Sequence, residues 1–320
     1  MIKHFSHNDL DGYSCILLSQ LVYGIENVSS KGCNHQEINE EVEKYLNEKE
    51  YLNYQHCYIT DISINDDLIA QINTLIKDNV NLKDHFRLID HHISAIELDK
   101  LDWCDVVVED SEGTLCCGTS LYFKYLKKIW NDTKVLTNPL LETYVEKVRR
   151  LDIWDWKKLG DIESKQLTDL FSILGKDNFM EYWFNRLTAD MGDFHFDEVH
   201  TLLLEINQRQ IDEYIESKND KIIEKEILGY KAGVVFGSRF QSELGNRLSE
   251  LHPEYDFIAI ISVDGGVSLR TTKEDINLAT DIATVFGGGG HAKASGMRVP
   301  PIVKDMVINT VFCLDEESIL

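Results

Sequence analysis

His7-Asn8-Asp9-Leu10-Asp11-Gly12 places one imidazole and two carboxylates within five positions, directly after a strand-like run at 2–6. An apolar helical run, 13–23, follows the glycine. Side chains at the carboxyl end of a first strand stand where open α/β sheets put their chemistry. Working outward, three further acidic or imidazole sites have similar settings. Asp61 closes the strand-like 56–60, Asp90-His91-His92 closes 86–89, and Asp152 follows the helical 141–151. Four such sites after four regular elements read as one cation-binding site assembled from scattered parts.

The surrounding pattern supports that placement. Strand candidates at 2–6, 25–29, 56–60, 85–90 and 104–109 alternate with helical patterns at 12–23, 36–50, 65–78, 117–130 and 138–151. Such alternation predicts a mostly parallel sheet flanked by helices. Short helices rich in aromatics are expected at 165–174 and 178–187, then one long charged helix over 196–227 as a linker. Strands at 230–236, 256–263 and 266–271, a helix at 241–251 and a second helix before Gly287 complete a smaller C-terminal α/β domain. The expected class is therefore α/β, with a catalytic domain at 1–158, a helical extension and linker at 159–228, and a second domain at 229–320.

Length and composition agree. A chain of 320 residues with 43% hydrophobic and 10% aromatic content has material for two cores. No apolar run approaches the roughly 18 residues of a membrane span. The N-terminus leads straight into motif residues and not into a signal peptide, so a soluble cytoplasmic protein without membrane partners is expected. Seven cysteines lack CxxC spacing. Cys15, Cys57 and Cys313 lie in apolar contexts and read as small buried hydrophobes. The net charge of −23 argues against long duplex nucleic acid, whose binders neutralise many phosphates, but leaves nucleotides and very short oligonucleotides open.

Alone, an aspartate at a strand end is usually a cap or turn residue. Together, His7, Asp9, Asp11, Asp61, His91 and Asp152 bring four carboxylates and two imidazoles to the ends of elements. Packed without a cation, those carboxylates would repel and take up protons. A mixed oxygen and nitrogen set without thiolate suits Mn2+ or Mg2+ better than structural zinc. Six ligands suffice for two ions if one carboxylate bridges them.

These residues, in this order, resemble the four motifs of the DHH phosphoesterase superfamily. Gly288-Gly289-Gly290-His291-Ala292-Lys293-Ala294-Ser295-Gly296 resembles the glycine signature of that family's C-terminal substrate-binding domain, DHHA1. The motifs run from residue 7 to 296, and the opening Ser6-His7-Asn8-Asp9-Leu10-Asp11-Gly12 resembles B-type members of the nanoRNase, or oligoribonuclease, group. The resemblance implies two Mn2+ ions, with Mg2+ or Co2+ as substitutes. His7, Asp9 and Asp61 would hold one, and Asp11, Asp61, His91 and Asp152 the other, with Asp61 bridging. It implies that Asp90 orients an imidazole and that His92 faces the scissile phosphate. Many relatives space the first His and Asp more widely than His7 and Asp9, a departure of this sequence from the family pattern.

In the second domain the glycines would let backbone amides approach a phosphate, with Arg270 and His291 adding contacts. The resemblance implies a Mn2+-dependent phosphodiesterase that trims very short RNA to mononucleotides and also acts on 3′,5′-bisphosphoadenosine. Its partners would be short oligoribonucleotides or nucleotides, with room for a homodimer. The alternatives are a linear or cyclic dinucleotide phosphodiesterase, a RecJ-like single-strand DNA exonuclease, a family II pyrophosphatase and a silent nucleotide-binding protein. Of the remaining features, Trp154 and Trp156 flank Asp152 and Asp155 and could stack on a base, but core packing is the stronger reading. Cys116-Cys117-Gly118-Thr119 precedes a helix and could approach substrate, though nothing in the sequence requires it, and His195 and His200 read as solvated linker positions.

Overall fold

The computed structural model describes residues 1–130, 133–189, 192–263, 265–312 and 314. It divides into two compact units, Met1–Leu204 and Glu205–Leu320.

The first unit opens with β1 (Ile2–His7), α1 (Leu10–Tyr23), β2 (Val28–Cys33), α2 (Glu37–Asn47), β3 (His56–Thr60), α3 (Asp66–Asp78), β4 (Phe86–Asp90) and β5 (Cys104–Val106). The five strands form one sheet in the order β2-β1-β3-β4-β5, and every pairing is parallel. A parallel sheet covered on both faces needs strands that bury alternate residues on opposite sides. That alternation is visible: Cys57, Ile59, Phe86 and Leu88 join one core, while Tyr58 and Ile89 join the other. The first of these cores takes apolar residues of α2 and α3. The other takes those of α1, α4 (Gly118–Ile129), α5 (Pro139–Asp152) and α7 (Ile162–Ala189). Between α5 and α7 lies the short α6 (Asp155–Leu159). Strand order reverses direction between β1 and β3, and such a switch point opens a crevice at the carboxyl ends of the strands.

Several boundaries differ from expectation. The strand expected at 25–29 is a 3₁₀ turn at Ile25–Asn27 followed by β2, an edge strand whose Val-Ser-Ser-Lys-Gly-Cys carries no hydrophobic alternation. The two helices expected at 165–174 and 178–187 run on as α7, kinked where Gly175 takes φ 71°. The linker helix expected over 196–227 ends early: α8 spans Glu198–Asn219 and β6 takes Ile223–Ile227. A two-residue hairpin, with Leu228 at φ 53° and Gly229 at φ 84°, then turns β6 back onto its neighbour, as positive φ at both turn positions allows.

The second unit continues with β7 (Tyr230–Phe236), α9 (Gln241–Leu251), β8 (Phe257–Ile261), β9 (Gly266–Arg270), β10 (Gly289–Gly290), β11 (Ala294–Arg298) and α10 (Ile302–Phe312). Its six-stranded sheet has the order β10-β11-β9-β8-β7-β6, antiparallel except for the β7–β8 pair. The helix expected before Gly287 is one π turn, Leu278–Ile282, and one 3₁₀ turn, Ala283–Phe286. Cys15, Cys33, Cys57, Cys104, Cys116 and Cys117 are free and buried, whereas Cys313 lies outside the described residues. No helix among the described residues is long and apolar enough to cross a membrane.

Candidate metal centre

The carboxyl ends of β1, β3 and β4, the start of α1 and the last residue of α5 bring all six expected ligands into three overlapping groups. These are His7, Asp9 and Asp61; Asp11, His91 and Asp152; and Asp61, Asp90, His91 and His92, with ligand atoms in each group within 4.8 Å of one another. Asp152 is the final residue of α5 and does not follow it.

Each side chain is fixed for a local reason. Asp9 caps α1, its Oδ1 accepting the Gly12 amide at 3.0 Å, while its Oδ2 lies 2.7 Å from Nδ1 of His7. Asp11 sits in the first turn of α1 and points at the N-terminus of α4. Its carboxylate accepts the Gly118 amide at 2.6 Å and the Thr119 amide at 2.9 Å, as helix N-terminal amides favour an anion. The Thr119 hydroxyl also donates to the Asp11 carbonyl at 2.8 Å. Asp90 is buried and accepts the Ser63 hydroxyl at 2.5 Å, the amides of His91 and His92 at 2.7 and 3.2 Å, and pairs with Nδ1 of His92 at 2.7 Å. It therefore works as a clamp on the loop that carries both histidines.

Asp61 is the centre of the arrangement. It is 2% exposed and takes a left-handed backbone at φ 58°, unusual for a residue other than glycine. Its Oδ1 lies 3.2 Å from Nε2 of His91, and Nδ1 of His7 is 3.9 Å from Oδ2. That Oδ2 is buried with no hydrogen-bond partner among the described residues. Nε2 of His91 also lies 3.5 Å from Asp152 and 4.0 Å from Asp11, so three carboxylates converge on one imidazole nitrogen.

The electrostatics follow from crowding. Burial, then the charges of Asp11 and Asp9, push Asp61 well above the usual carboxylate range. The same causes raise Asp152 to about 8. Burial pulls His91 below the ordinary imidazole value despite nearby Asp11. His92 goes the other way, raised chiefly by its hydrogen bond with Asp90. An acidic cluster that must hold protons to exist without a cation is one that a divalent ion can occupy.

Sequence reasoning missed two contributors. His35, just beyond β2, has its ring 5.3 Å from that of His7. Gly118 lies so close that a Cβ there would meet the Asp61 Cβ at 2.5 Å. The run Cys116-Cys117-Gly118-Thr119, whose sequence requires no role, is therefore what seats Asp11. Trp154, expected in the core, is 58% exposed, two residues beyond Asp152. His200 is buried against Tyr182, with ring centroids 4.1 Å apart, while His195 is exposed as expected.

In the second unit, Arg270 ends β9 and pairs in register with Ala294, immediately after the turn carrying His291. Its guanidinium donates to the Ser268 hydroxyl at 2.9 Å, the Leu269 carbonyl at 2.8 Å and the Ser242 hydroxyl at 3.0 Å. The glycine run is a β-hairpin, in which the amides of Gly287, Gly288 and His291 donate to the carbonyls of Thr284, Ala283 and Ala294. A nest with all its amides open to an anion, as expected from the sequence, does not form. Close packing accounts for Gly288, whose Cβ would meet the Gly296 carbonyl at 2.2 Å, and for Gly290, at φ 135° with the Ala294 carbonyl 2.8 Å from its Cβ position; Gly287 takes φ 72°, and a Cβ on Gly289 would meet nothing within 4 Å. Gly289 and His291 are exposed.

No family model matches the chain. Oligoribonuclease NrnB of Bacillus subtilis (strain 168) is 34% identical over 317 residues, covering 98% of this chain and 77% of that protein. The chain belongs to the DHH phosphoesterase superfamily. A 3′,5′-cyclic-nucleotide phosphodiesterase of Helicobacter pylori (strain ATCC 700392 / 26695) is 24% identical, covering 93% of this chain and 92% of that one. The solved DHH domain of a member of the s1p family of ribosomal proteins superposes with a TM-score of 0.51 at 14% identity, covering 96% of this chain and 84% of its own, which supports the fold.

Proposed function

We propose that this DHH-superfamily member is a divalent-cation-dependent phosphodiesterase that degrades very short RNA and dinucleotides to mononucleotides. The observation that carries the reading is Oδ2 of Asp61, buried where the acidic groups meet and without a hydrogen-bond partner among the described residues. An unpaired buried carboxylate oxygen is costly unless a cation completes it. His7, Asp9 and Asp61 would hold one Mn2+ ion; Asp11, Asp61, His91 and Asp152 would hold the second, with Asp61 shared. Bound divalent ions supply the Lewis acidity that phosphoester hydrolysis needs at neutral pH.

The remaining residues position and bind. Asp90 holds the His92 ring in one orientation, and the partly exposed imidazole is then available to hydrogen-bond the phosphate or its leaving oxygen. The Gly118 and Thr119 amides keep Asp11 aimed at the cluster. In the second unit, Arg270, Gly289 and His291 offer contacts to a phosphate of the substrate. Short substrates also fit the charge of −23, which opposes a long polyanion outside a local cationic site.

Product analysis on end-labelled RNAs of two to ten nucleotides, with Mn2+ and with chelator, tests the reading. Mononucleotides should accumulate from the shortest RNAs only when the ion is present. Equal cleavage in chelator, or none with any divalent ion, rejects it.

A further inference from the structure

We propose that Trp154 is a stacking platform for a nucleobase of the substrate whose phosphate lies at the His and Asp cluster. The inference rests on the phosphodiesterase reading and adds to it the place where a base is held.

Three local rules fail at Trp154. It is a large aromatic side chain, yet 58% exposed. Its backbone is left-handed at φ 63° and ψ 14°, a conformation that favours glycine or asparagine and is unfavourable for a bulky residue. It also occupies the N-cap of α6 without accepting any hydrogen bond there, a position where a short polar side chain would satisfy the helix. Neither packing nor capping accounts for the residue, and local rules broken together mark a functional position. Five residues other than glycine have positive φ among those described, and two of them, Asp61 and Trp154, belong to the cluster or its immediate sequence neighbourhood.

The surroundings hold that conformation. The Ile153 amide donates to the Arg149 carbonyl and the Trp154 amide to the Leu151 carbonyl, each at 3.1 Å. Arg149 reaches forward to Asp155 at 3.5 Å, fixing the start of α6 from the far side of the turn. The ring is therefore presented from a pinned turn. Trp156 backs it, with ring centroids 6.3 Å apart and planes tilted by 35°.

Its location selects the occupant. Two extended residues span at most about 7 Å, so the Trp154 backbone is within one nucleotide's reach of Asp152. Asp152 belongs to a ligand group of the cluster. Ile93, the residue after His92, and Leu115, just before the segment that seats Asp11, are likewise exposed apolar residues. An aromatic face beside a phosphate site suits any base, because every base offers a π face.

The test compares wild-type protein, Trp154→Ala and Trp154→Phe on the dinucleotide pApA and on analogues made abasic at one position or the other. Trp154→Ala should raise KM for pApA by about 5- to 150-fold, the range for losing one stacked base. The effect on kcat should be small, and Trp154→Phe should recover most of the loss. One of the abasic analogues should be indifferent to the substitution. Mn2+ content and thermal melting should match wild type. An unchanged KM overturns the proposal, as does an equal loss on both abasic analogues, which would mean a structural role. Altered molar mass with unchanged KM would assign Trp154 to a protein contact and overturn it likewise. If wild-type protein cleaves no dinucleotide, the phosphodiesterase reading has failed. Equilibrium binding of the same ligands to the same variants then decides the platform by the same comparison.

Discussion

Replacing Gly118 by alanine adds one methyl group to a crowded contact in the centre. The new Cβ would lie 2.5 Å from Cβ of Asp61 and 3.0 Å from both Cγ of Asp61 and Oδ2 of Asp11. Carbon atoms pack best at roughly 3.5–4.0 Å, so a gap of about 1 Å must open. Gly118 is not among the glycines with positive φ, and alanine is the best helix former, so the backbone itself tolerates the change. Relief must come from moving Asp61 or from lifting the first turn of α4 off Asp11, which breaks the bonds at 2.6 and 2.9 Å. Overpacking of this kind costs about 1–3 kcal/mol of stability. A 1 Å displacement of reacting groups costs about 100-fold in rate. Gly118→Ala should therefore fold, melt somewhat lower, and lose about two orders of magnitude in kcat/KM on a dinucleotide. Melting curves and steady-state kinetics on the same preparation check this. Wild-type turnover from Gly118→Ala would refute the reasoning, because it would show that the geometry of Asp61 and Asp11 is not tightly coupled to activity.

Other outcomes follow from the charges and packing. Asp61 lies well above the usual carboxylate range and Asp152 near 8, so the metal-free protein carries protons there that the unfolded chain has lost. Its stability should fall as pH rises toward 8, and Mn2+ binding should release protons and tighten over that interval; calorimetry in buffers of different ionisation enthalpy reads the release. His4, bonded to Ser19 and Thr60, is held down to about 3 and His85 to about 4, both chiefly by burial. Their folded values lie below the unfolded 6.5, so the stability they contribute is present above that pH and lost below it, at up to about 1.4 kcal/mol per pH unit each; denaturant titrations from pH 7 to 4 should show a shallower decline for His85→Gln. Arg270→Met keeps an apolar stem beside Gly245 but loses the charge, and should lower kcat/KM on dinucleotides about 10- to 150-fold while sparing bis-p-nitrophenyl phosphate; equal loss on both would place Arg270 in the fold or at the reaction centre.

The parallel sheet and the residues of the acidic cluster are legible in the sequence because both leave local signatures. Strands such as 56–60 are short apolar runs, and each acidic site directly follows one or ends a helix. What was not legible depended on distant contacts or on missing periodicity. Gly118 meets Asp11 across 107 residues, and nothing adjacent to it announces that contact. Strand β2 is an edge strand whose exposed serines and lysine carry no alternation, so its register shifted. The charged run at 222–227 fits a helical pattern as well as a strand, and only the Leu228-Gly229 turn distinguishes them. Trp154 reads as a core residue because aromatics usually pack there, yet it stands exposed in the left-handed turn after Asp152.

The central claim is that Asp61 joins two ion sites in one cluster. Elemental analysis and Mn2+ titration of wild-type protein beside Asp61→Ala test it most directly, with melting curves to confirm that the variant is folded. Two ions per chain in the wild type, and loss of both together with turnover in Asp61→Ala, are the predicted result. Near-native Mn2+ stoichiometry and turnover in folded Asp61→Ala would contradict it.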